Sequence, residues 1–504
     1  MSVTMHSEDG VGHVQIDNPP VNAIGHSVRQ GLLDAVQWAE TQPITRVILS
    51  GAGRAFAAGA DAREFDQAPV APHLPDVLNA IDASFVPWIA AINGVALGGG
   101  AEIAMACRMR IIAPTAQIGL PEVTLGVIPG AGGTQRLPRL VGLEKALDMI
   151  TTGAPIDANA ALSARLVHAI EDDPVAEAFM VNTEELGCIV PTWELPAPLH
   201  DTSLIDTARH AIALNRPHQN APRHAIDVIE AGLTLPYHDA LPIERAAFIQ
   251  LKTQPQAKAL RHIFFAERAS KREGVLPNAT LISARLHARY IEAADIVFMD
   301  GSTPWDVDEA MVEFGYTMGP YEAQDVTGLD LEHTERRAQD ATRDPNRRYV
   351  LIADRMIELG KLGRKTGAGW YRYPGGNGKV DDPIVADLAI EESHFAKRTR
   401  TDYAPDDIRE RLLLAMINEA ADLLGEGTAH SVRDIDLISV ANNSFPRWRG
   451  GLMHCADTLG AQKIVQTLEE LVKEDPIVWK ISPVLKTCAA QGTSLAAYQN
   501  SDLL

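Results

Sequence analysis

An α/β domain followed by a long, internally duplicated all-α region is the fold class that this sequence of 504 residues predicts. Three observations carry it. Strand-like runs at 11–16 and 44–50 alternate with helical periodicity at about 28–40 and 80–92. From about residue 276 onward the apolar spacing is helical throughout. Within that second region short signatures return about 130 residues later, with the small drift that loop insertions produce in a duplicated unit. Glu292-Ala293-Ala294-Asp295 returns as Glu419-Ala420-Ala421-Asp422, Asp306-Val307-Asp308 as Asp434-Ile435-Asp436, and Asp325 with Gly328 as Asp457 with Gly460.

In chain order, the α/β pattern spans 1–190. Prolines and histidines crowd 191–245 (Pro191, Pro196, Pro198, Pro217, Pro222, Pro236, Pro242), which reads as loops with short helices. A long amphipathic helix is expected from about Ile243 to Arg268, so 191–275 forms an extension and linker helix. The helical copies then divide as 276–395 and 396–504. A chain of this length is too long for one core, and about three domains is the soft expectation.

Composition narrows the function classes. Lys+Arg 45 against Asp+Glu 66 gives a net charge of −21, which speaks against nucleic acid or an anionic membrane as partner. Cys107, Cys188, Cys455 and Cys488 lie far apart, outside any CxxC or zinc-type pattern, and read as reduced thiols. No metal site is indicated. The start, Met1 to Gly10, lacks the basic and apolar regions of a secretory leader, and no stretch of about 18 apolar residues occurs. The end, Ser501-Asp502-Leu503-Leu504, is not a usual peroxisomal tripeptide. A cytoplasmic protein without a membrane span is expected.

The chemistry-bearing segments lie in the first domain. Gly98-Gly99-Gly100-Ala101-Glu102 runs into an apolar helix start, where a backbone N–H can meet a ligand oxygen with no side chain between them, and Gly99 is the candidate donor. Arg54 to Asp61 follows a strand and turns through small residues, leaving the Ala60 N–H as a second donor. Two such donors are what a carbonyl gaining enolate character needs. Asp61 and Glu64 have capping-box spacing, which makes Asp61 structural rather than catalytic. Glu102, and Glu122 in Gly119-Leu120-Pro121-Glu122-Val123, are flanked by groups that limit solvation, which raises a carboxylate pKa toward proton-transfer range. Ile128-Pro129-Gly130-Ala131-Gly132-Gly133-Thr134 is a glycine-rich helix entry whose Gly130 N–H is suited to hold a water. Taken singly, a glycine triplet is often only a loop and a lone glutamate at a helix start a dipole partner.

These segments resemble the enoyl-CoA hydratase (crotonase) superfamily over residues 1 to about 190. The resemblance rests on Pro19-Pro20-Val21-Asn22-Ala23, Ala58-Gly59-Ala60-Asp61, Asn93 through Glu102, Leu120-Pro121-Glu122 and Pro129 through Gln135. It implies a ClpP-like spiral fold. It implies Ala60 and Gly99 as oxyanion-hole amides, Glu102 and Glu122 as the acid/base pair, and contacts from Ala58, Ala60 and Asp61 to the CoA moiety. Isomerase members usually keep only the second glutamate, so the presence of both favours hydration. The substrate is then an acyl-CoA thioester and no cofactor is needed.

Arg261 through Arg268 resembles the linker helix of multifunctional beta-oxidation enzymes, in which a hydratase is fused to a 3-hydroxyacyl-CoA dehydrogenase. Gly319 through Asp325 and Leu362 through Tyr371 resemble the C-terminal helical domains of that dehydrogenase. Such a dehydrogenase needs a dinucleotide-binding domain before those helices, yet only Ala269 through Asn278 stand there, and no G-x-G-x-x-G occurs in the chain. Ala284 occupies the position of the family's catalytic asparagine. No NAD site and no dehydrogenase activity are therefore expected. His262 reads as a packing residue of the linker helix, and Lys365 as part of a solvated face.

The expectation is hydration of 2-enoyl-CoA to 3-hydroxyacyl-CoA. Glu122 would protonate C2, and Glu102 would activate water with help from Gly130. Residues 65–88 would wall the acyl pocket. Two alternatives stay open: a 3-enoyl to 2-enoyl-CoA isomerase using Glu122 alone, and an acyl-CoA-binding scaffold that docks a separate dehydrogenase or thiolase. The linker-helix resemblance favours a monomer, with a dimer as the alternative.

Overall fold

Neighbouring strands that run parallel bring their C-terminal ends to one edge, and this chain uses that property to gather its glycines and glutamates. The computed structural model describes residues 2–274, 276–338, 344–376 and 378–498; the terminal segment Ser501 to Leu504 lies outside them. The chain forms two compact units, Met1–Arg261 and His262–Leu504.

In the first unit, β1 (Val3–Glu8), β2 (Val11–Ile16), β3 (Arg46–Gly51), β4 (Ala55–Ala57), β5 (Trp88–Ile92), β6 (Val95–Leu97), β7 (Met109–Ile112), β8 (Gln117–Gly119), β9 (Ile156–Asp157) and β10 (Ala169–Ile170) build two sheets. The larger has the order β1-β2-β3-β5-β7-β10, the smaller β4-β6-β8-β9. After the antiparallel β1–β2 pair every pairing in the large sheet is parallel. Both faces of that sheet are covered. Val47 and Leu49 share a core with Val28, Leu32 and Val36 of α1 (His26–Thr41), whereas Ile48 between them packs with Ala178, Val181 and Leu186.

That double burial corrects one expectation. The apolar stretch to residue 92 is not one helix: α2 (Leu74–Ala83) ends before Pro87, and Trp88–Ile92 is the strand β5, with all five residues buried. A strand buried on both faces is a continuous apolar run, which periodicity does not separate from a buried helix.

The proline-rich stretch is also more regular than expected. Thr202–Asn215 and Asn220–Leu233 are helices of 14 residues each, and the expected helix Ile243 to Arg268 is two helices, Tyr237–Thr253 and Pro255–Glu273. Pro222 and Pro255 fall in first turns and Pro236 at an N-cap, where a missing N–H breaks no intrahelical bond. The boundary between the two units falls inside Pro255–Glu273.

The second unit bears out the duplication. Asp308 accepts from the Tyr321 and Glu322 N–H groups (2.8 and 2.9 Å) at the start of helix Pro320–Thr327. Its repeat partner Asp436 accepts from Met453 and His454 N–H (2.7 and 3.1 Å) at the start of helix Leu452–Leu459. Asp325 receives the Trp370 and Tyr371 N–H groups, and Asp457 those of Leu495 and Ala496. Helices Ala279–Asp300 and Pro405–Gly425 lead the two copies, and one continuous core includes Leu286 and Val297 of the first with Leu412 and Leu424 of the second. Residues 274–278 alone connect helix Pro255–Glu273 to helix Ala279–Asp300. Among the described residues no helix is long and apolar enough to cross a membrane.

Candidate active site

In the small sheet β4, β6 and β8 run parallel as neighbours. Their C-terminal ends deliver, in turn, Ala58–Asp61, the start of α3 (Gly99–Ala106), and Pro121-Glu122. Residues from three distant stretches of sequence therefore meet by topology alone, at the strand ends where open α/β sheets bind ligands.

Glycine is required where these turns touch. Gly98 adopts φ +55, and a Cβ there would stand 3.0 Å from Glu122 Oε1; a Cβ on Gly100 would stand 2.1 Å from the Ala57 carbonyl oxygen. Gly99 is the first residue of α3, and a Cβ built on it would lie 3.7 Å from the Ala60 nitrogen, with Leu74 and Ile24 alongside. The Ile24–Ala60 bridge uses the Gly59 carbonyl and the Asp61 N–H, so among the described residues neither the Ala60 nor the Gly99 N–H has a backbone acceptor. Ala58 N–H is bonded to the Val21 carbonyl at 3.1 Å.

Asp61 caps the short helix Ala62–Asp66 through the Arg63 N–H at 3.0 Å and pairs with the Arg63 guanidinium at 2.7 Å. The expected reciprocal bond from Glu64 is absent, because Glu64 instead accepts from the His26 N–H (2.8 Å) and the Arg29 guanidinium (2.7 Å). The capping box is half formed: the Arg29 guanidinium is the stronger partner for Glu64, and the Asp61 N–H is taken by the Ile24 carbonyl.

Glu102 lies in the first turn of α3, 2 % exposed, and its Oε1 accepts from the Ala131 and Gly133 N–H groups at 2.8 and 2.9 Å. Burial raises its pKa, against the pull of those two bonds and of Arg136. Glu122 opens the short helix Glu122–Leu125, and its Oε2 is buried without a hydrogen-bond partner. Burial pushes its pKa well above the ordinary carboxylate range, and the nearby Glu102 and Glu244 push further. The two glutamates are thus differentiated: one is held as an acceptor by backbone amides, the other is favoured in its protonated form. Gly130 N–H has no backbone acceptor among the described residues. The Gly130 carbonyl accepts from Arg245 at 3.4 Å, and a Cβ on Gly130 would run into Phe248.

Three contributors escaped the sequence reading. Arg136, fully buried, pairs with Asp82 at 2.5 Å and donates to the Ala131 carbonyl at 2.7 Å, bracing the turn that holds Glu102. Arg245 and Glu244 come from helix Tyr237–Thr253, beyond the recognisable motifs. A glutamate followed by an arginine on an amphipathic helix carries no local mark of such a position. Phe65, at the edge of the expected acyl-pocket stretch, meets Phe248 edge to face at 5.9 Å. His262 Nε2 donates to Asp436 at 2.8 Å, and its ring stacks on His454 at 4.6 Å in the second unit, as a packing residue would. Lys365 pairs with Asp330 on an exposed face.

Residues 6–186 match the model of the enoyl-CoA hydratase/isomerase family, and residues 281–373 that of the C-terminal domain of 3-hydroxyacyl-CoA dehydrogenase. The peroxisomal bifunctional enzyme of Cavia porcellus is 27% identical over 698 aligned positions, covering 95% of this chain and 96% of the relative. Those 698 positions exceed this chain's 504 residues, so the relative carries long segments with no counterpart here. The peroxisomal fatty acid beta-oxidation multifunctional protein AIM1 of Arabidopsis thaliana is 36% identical over 303, covering 56% of this chain and 41% of the relative. Among solved structures, an enoyl-CoA hydratase/isomerase from Pseudoalteromonas atlantica T6c is 24% identical with a TM-score of 0.41, covering 53% of this chain and 98% of that one.

Proposed function

We propose how this chain works from the premise that its residues 6–186 belong to the enoyl-CoA hydratase/isomerase family and its residues 281–373 to the dehydrogenase C-terminal domain family. It is an enoyl-CoA hydratase, a lyase acting on CoA thioesters, within a multifunctional beta-oxidation architecture that lacks the dinucleotide-binding domain. The acid/base pair is Glu102 and Glu122. Water held by Glu102 and the Gly130 N–H attacks C3 of the 2-enoyl thioester, and Glu102 takes its proton. Glu122 gives its own proton to C2. The net change is H and OH added across one double bond. The Ala60 and Gly99 amides stabilise the negative charge that the thioester oxygen gains meanwhile, and Ala58, Ala60 and Asp61 border the CoA moiety.

The observation that carries this reading is the unlike state of the two carboxyls, Glu102 amide-bonded and Glu122 buried with an unpartnered oxygen. Loss of the conjugated-thioester absorbance of a 2-enoyl-CoA, monitored across a panel of acyl chains, tests it. No hydration of any chain would overturn it. The isomerase reading needs Glu122 alone, and its unpartnered oxygen supports that side activity; offering a 3-enoyl-CoA decides it. The scaffold reading is supported by the helical unit's complete core without a dinucleotide domain. Co-migration of the chain with a separate dehydrogenase or thiolase tests it.

The module boundaries 1–190, 191–275, 276–395 and 396–504 and a monomeric state belong to the same proposal. A cytoplasmic location is part of the same proposal; the four free cysteines fit a reducing compartment of any kind. Several curated relatives are named peroxisomal or glyoxysomal, and recovery of the chain in an organelle fraction would overturn the cytoplasmic reading.

A further inference from the structure

The turn entering α4 (Gly133–Val141) sends its backbone N–H groups to two different carboxylates. Ala131 and Gly133 donate to Glu102 at 2.8 and 2.9 Å. Gly132 and Thr134 donate to Glu244, Thr134 through its N–H at 2.8 Å and its hydroxyl at 2.5 Å. Gly132, at φ +99, makes this possible, because a residue with a side chain rarely adopts that conformation. Glu244 is 1 % exposed and lies in helix Tyr237–Thr253, outside the stretch 6–186 that matches the family model.

We propose that Glu244 is a positioning residue of the hydratase site, clamping the Gly132–Thr134 side of the turn so that the Ala131 and Gly133 amides stay aimed at Glu102. The proposal rests on the hydratase reading. Its physical basis is donor accounting: with Glu244 removed, two buried amides and a hydroxyl lose their acceptor, and Glu102 is the nearest carboxylate they can turn to. That would rotate the amides next to Gly130, which hold the water-activating group in place. The same contact couples charge. Burial, then the Glu102 charge, pushes Glu244 up to about 8 against the Thr134 and Gly132 bonds. Glu102 on α3, Glu122 on its short helix, Arg136 on α4, and Tyr237 and Arg245 on Glu244's own helix are the titratable and charged groups around it. The hydratase site then extends into helix Tyr237–Thr253, and a chain cut near residue 190 loses part of it.

The test uses full-length wild type, Glu244→Ala, Glu244→Gln, and Gln250→Ala as a control on the exposed face of the same helix. Because displacement of catalytic groups by about 1 Å is enough, E244A is expected to lower kcat on the order of 10²-fold, with KM within about 3-fold. E244Q is expected between the two, since its amide oxygen still accepts one N–H. In E244Q the pH limb set by Glu122 moves to lower pH, because the Glu244 charge that pushes the Glu122 carboxyl up is gone. Binding of a saturated acyl-CoA is retained in both. An active wild type whose E244A and E244Q variants keep kcat and the pH profile overturns this inference alone. Loss of activity that tracks a rise in KM or a lowered melting temperature, with an unmoved pH profile, also overturns it, leaving a structural role. A wild type without hydratase activity overturns the functional reading and this one with it.

Discussion

Both units bury carboxylates at helix starts, and they leave them in opposite conditions. Asp308 in the second unit is 3 % exposed and accepts three hydrogen bonds, from the Tyr321 and Glu322 amides and from the Tyr371 hydroxyl at 2.8 Å. Its repeat partner Asp436 has the same two amide donors, and His262 in place of the tyrosine. Glu122 in the first unit has one oxygen buried with no partner at all. Burial raises the pKa in each case, to about 6 for Asp308 and well above the ordinary range for Glu122. A carboxylate with both oxygens engaged holds backbone in place. One with a vacant, desolvated oxygen is costly to keep and suited to carry a proton.

The sharpest way to break this contrast is Glu122→Gln. Hydration is expected to fall on the order of 10³-fold, while acyl-CoA binding measured by calorimetry persists; a fully active variant would remove the distinction. Asp308→Ala should do the reverse. It orphans two amides and a hydroxyl, and should lower the stability of the helical unit by about 3 kcal/mol in a urea titration, leaving the hydration rate per folded molecule unchanged. A matching loss of hydration would show that Asp308 is not merely structural.

A smaller effect separates the units by pH. Glu244 sits at about 8 in the fold, against about 4.3 in an unfolded chain, so its contribution to stability is complete below the lower value and is lost as pH rises through the higher one. Denaturant midpoints should therefore fall as pH rises from about 4 to about 8 and level off above that, and E244Q should flatten that slope. The smallest effect is expected from His262→Ala. It removes one partly exposed bond to Asp436 and should cost about 1 kcal/mol, read as a shift in melting temperature.

Much of this was legible in the chain. The glycine run, both glutamates and Gly130 sit in short, ordered segments whose residue types already imply close backbone approach, and the duplicated aspartates were visible as spaced repeats. Three things were not. The stretch Trp88–Ile92 hid its strand character because both faces are buried. Prolines in 191–245 read as breakers, although Pro222 lies in a first turn, Pro236 at an N-cap and Pro242 inside helix Tyr237–Thr253. Glu244 looked like any glutamate on an amphipathic helix, since its donors, Gly132 and Thr134, are more than a hundred residues away in sequence.

The sequence by itself determined which groups the site could contain, because glycine, alanine and glutamate at those positions are local choices about backbone freedom and charge. It also determined the two-copy helical region, through recurring side chains. Only the tertiary structure decided how those groups differ from one another. Parallel strands β4, β6 and β8 bring three turns to one edge, and burial there separates an amide-bonded Glu102 from a Glu122 with one unpartnered oxygen. Helix Tyr237–Thr253 supplies the second carboxylate to the turn that holds Glu102. Desolvation and donor sharing depend on distances between residues remote in the chain, and no local pattern encodes those.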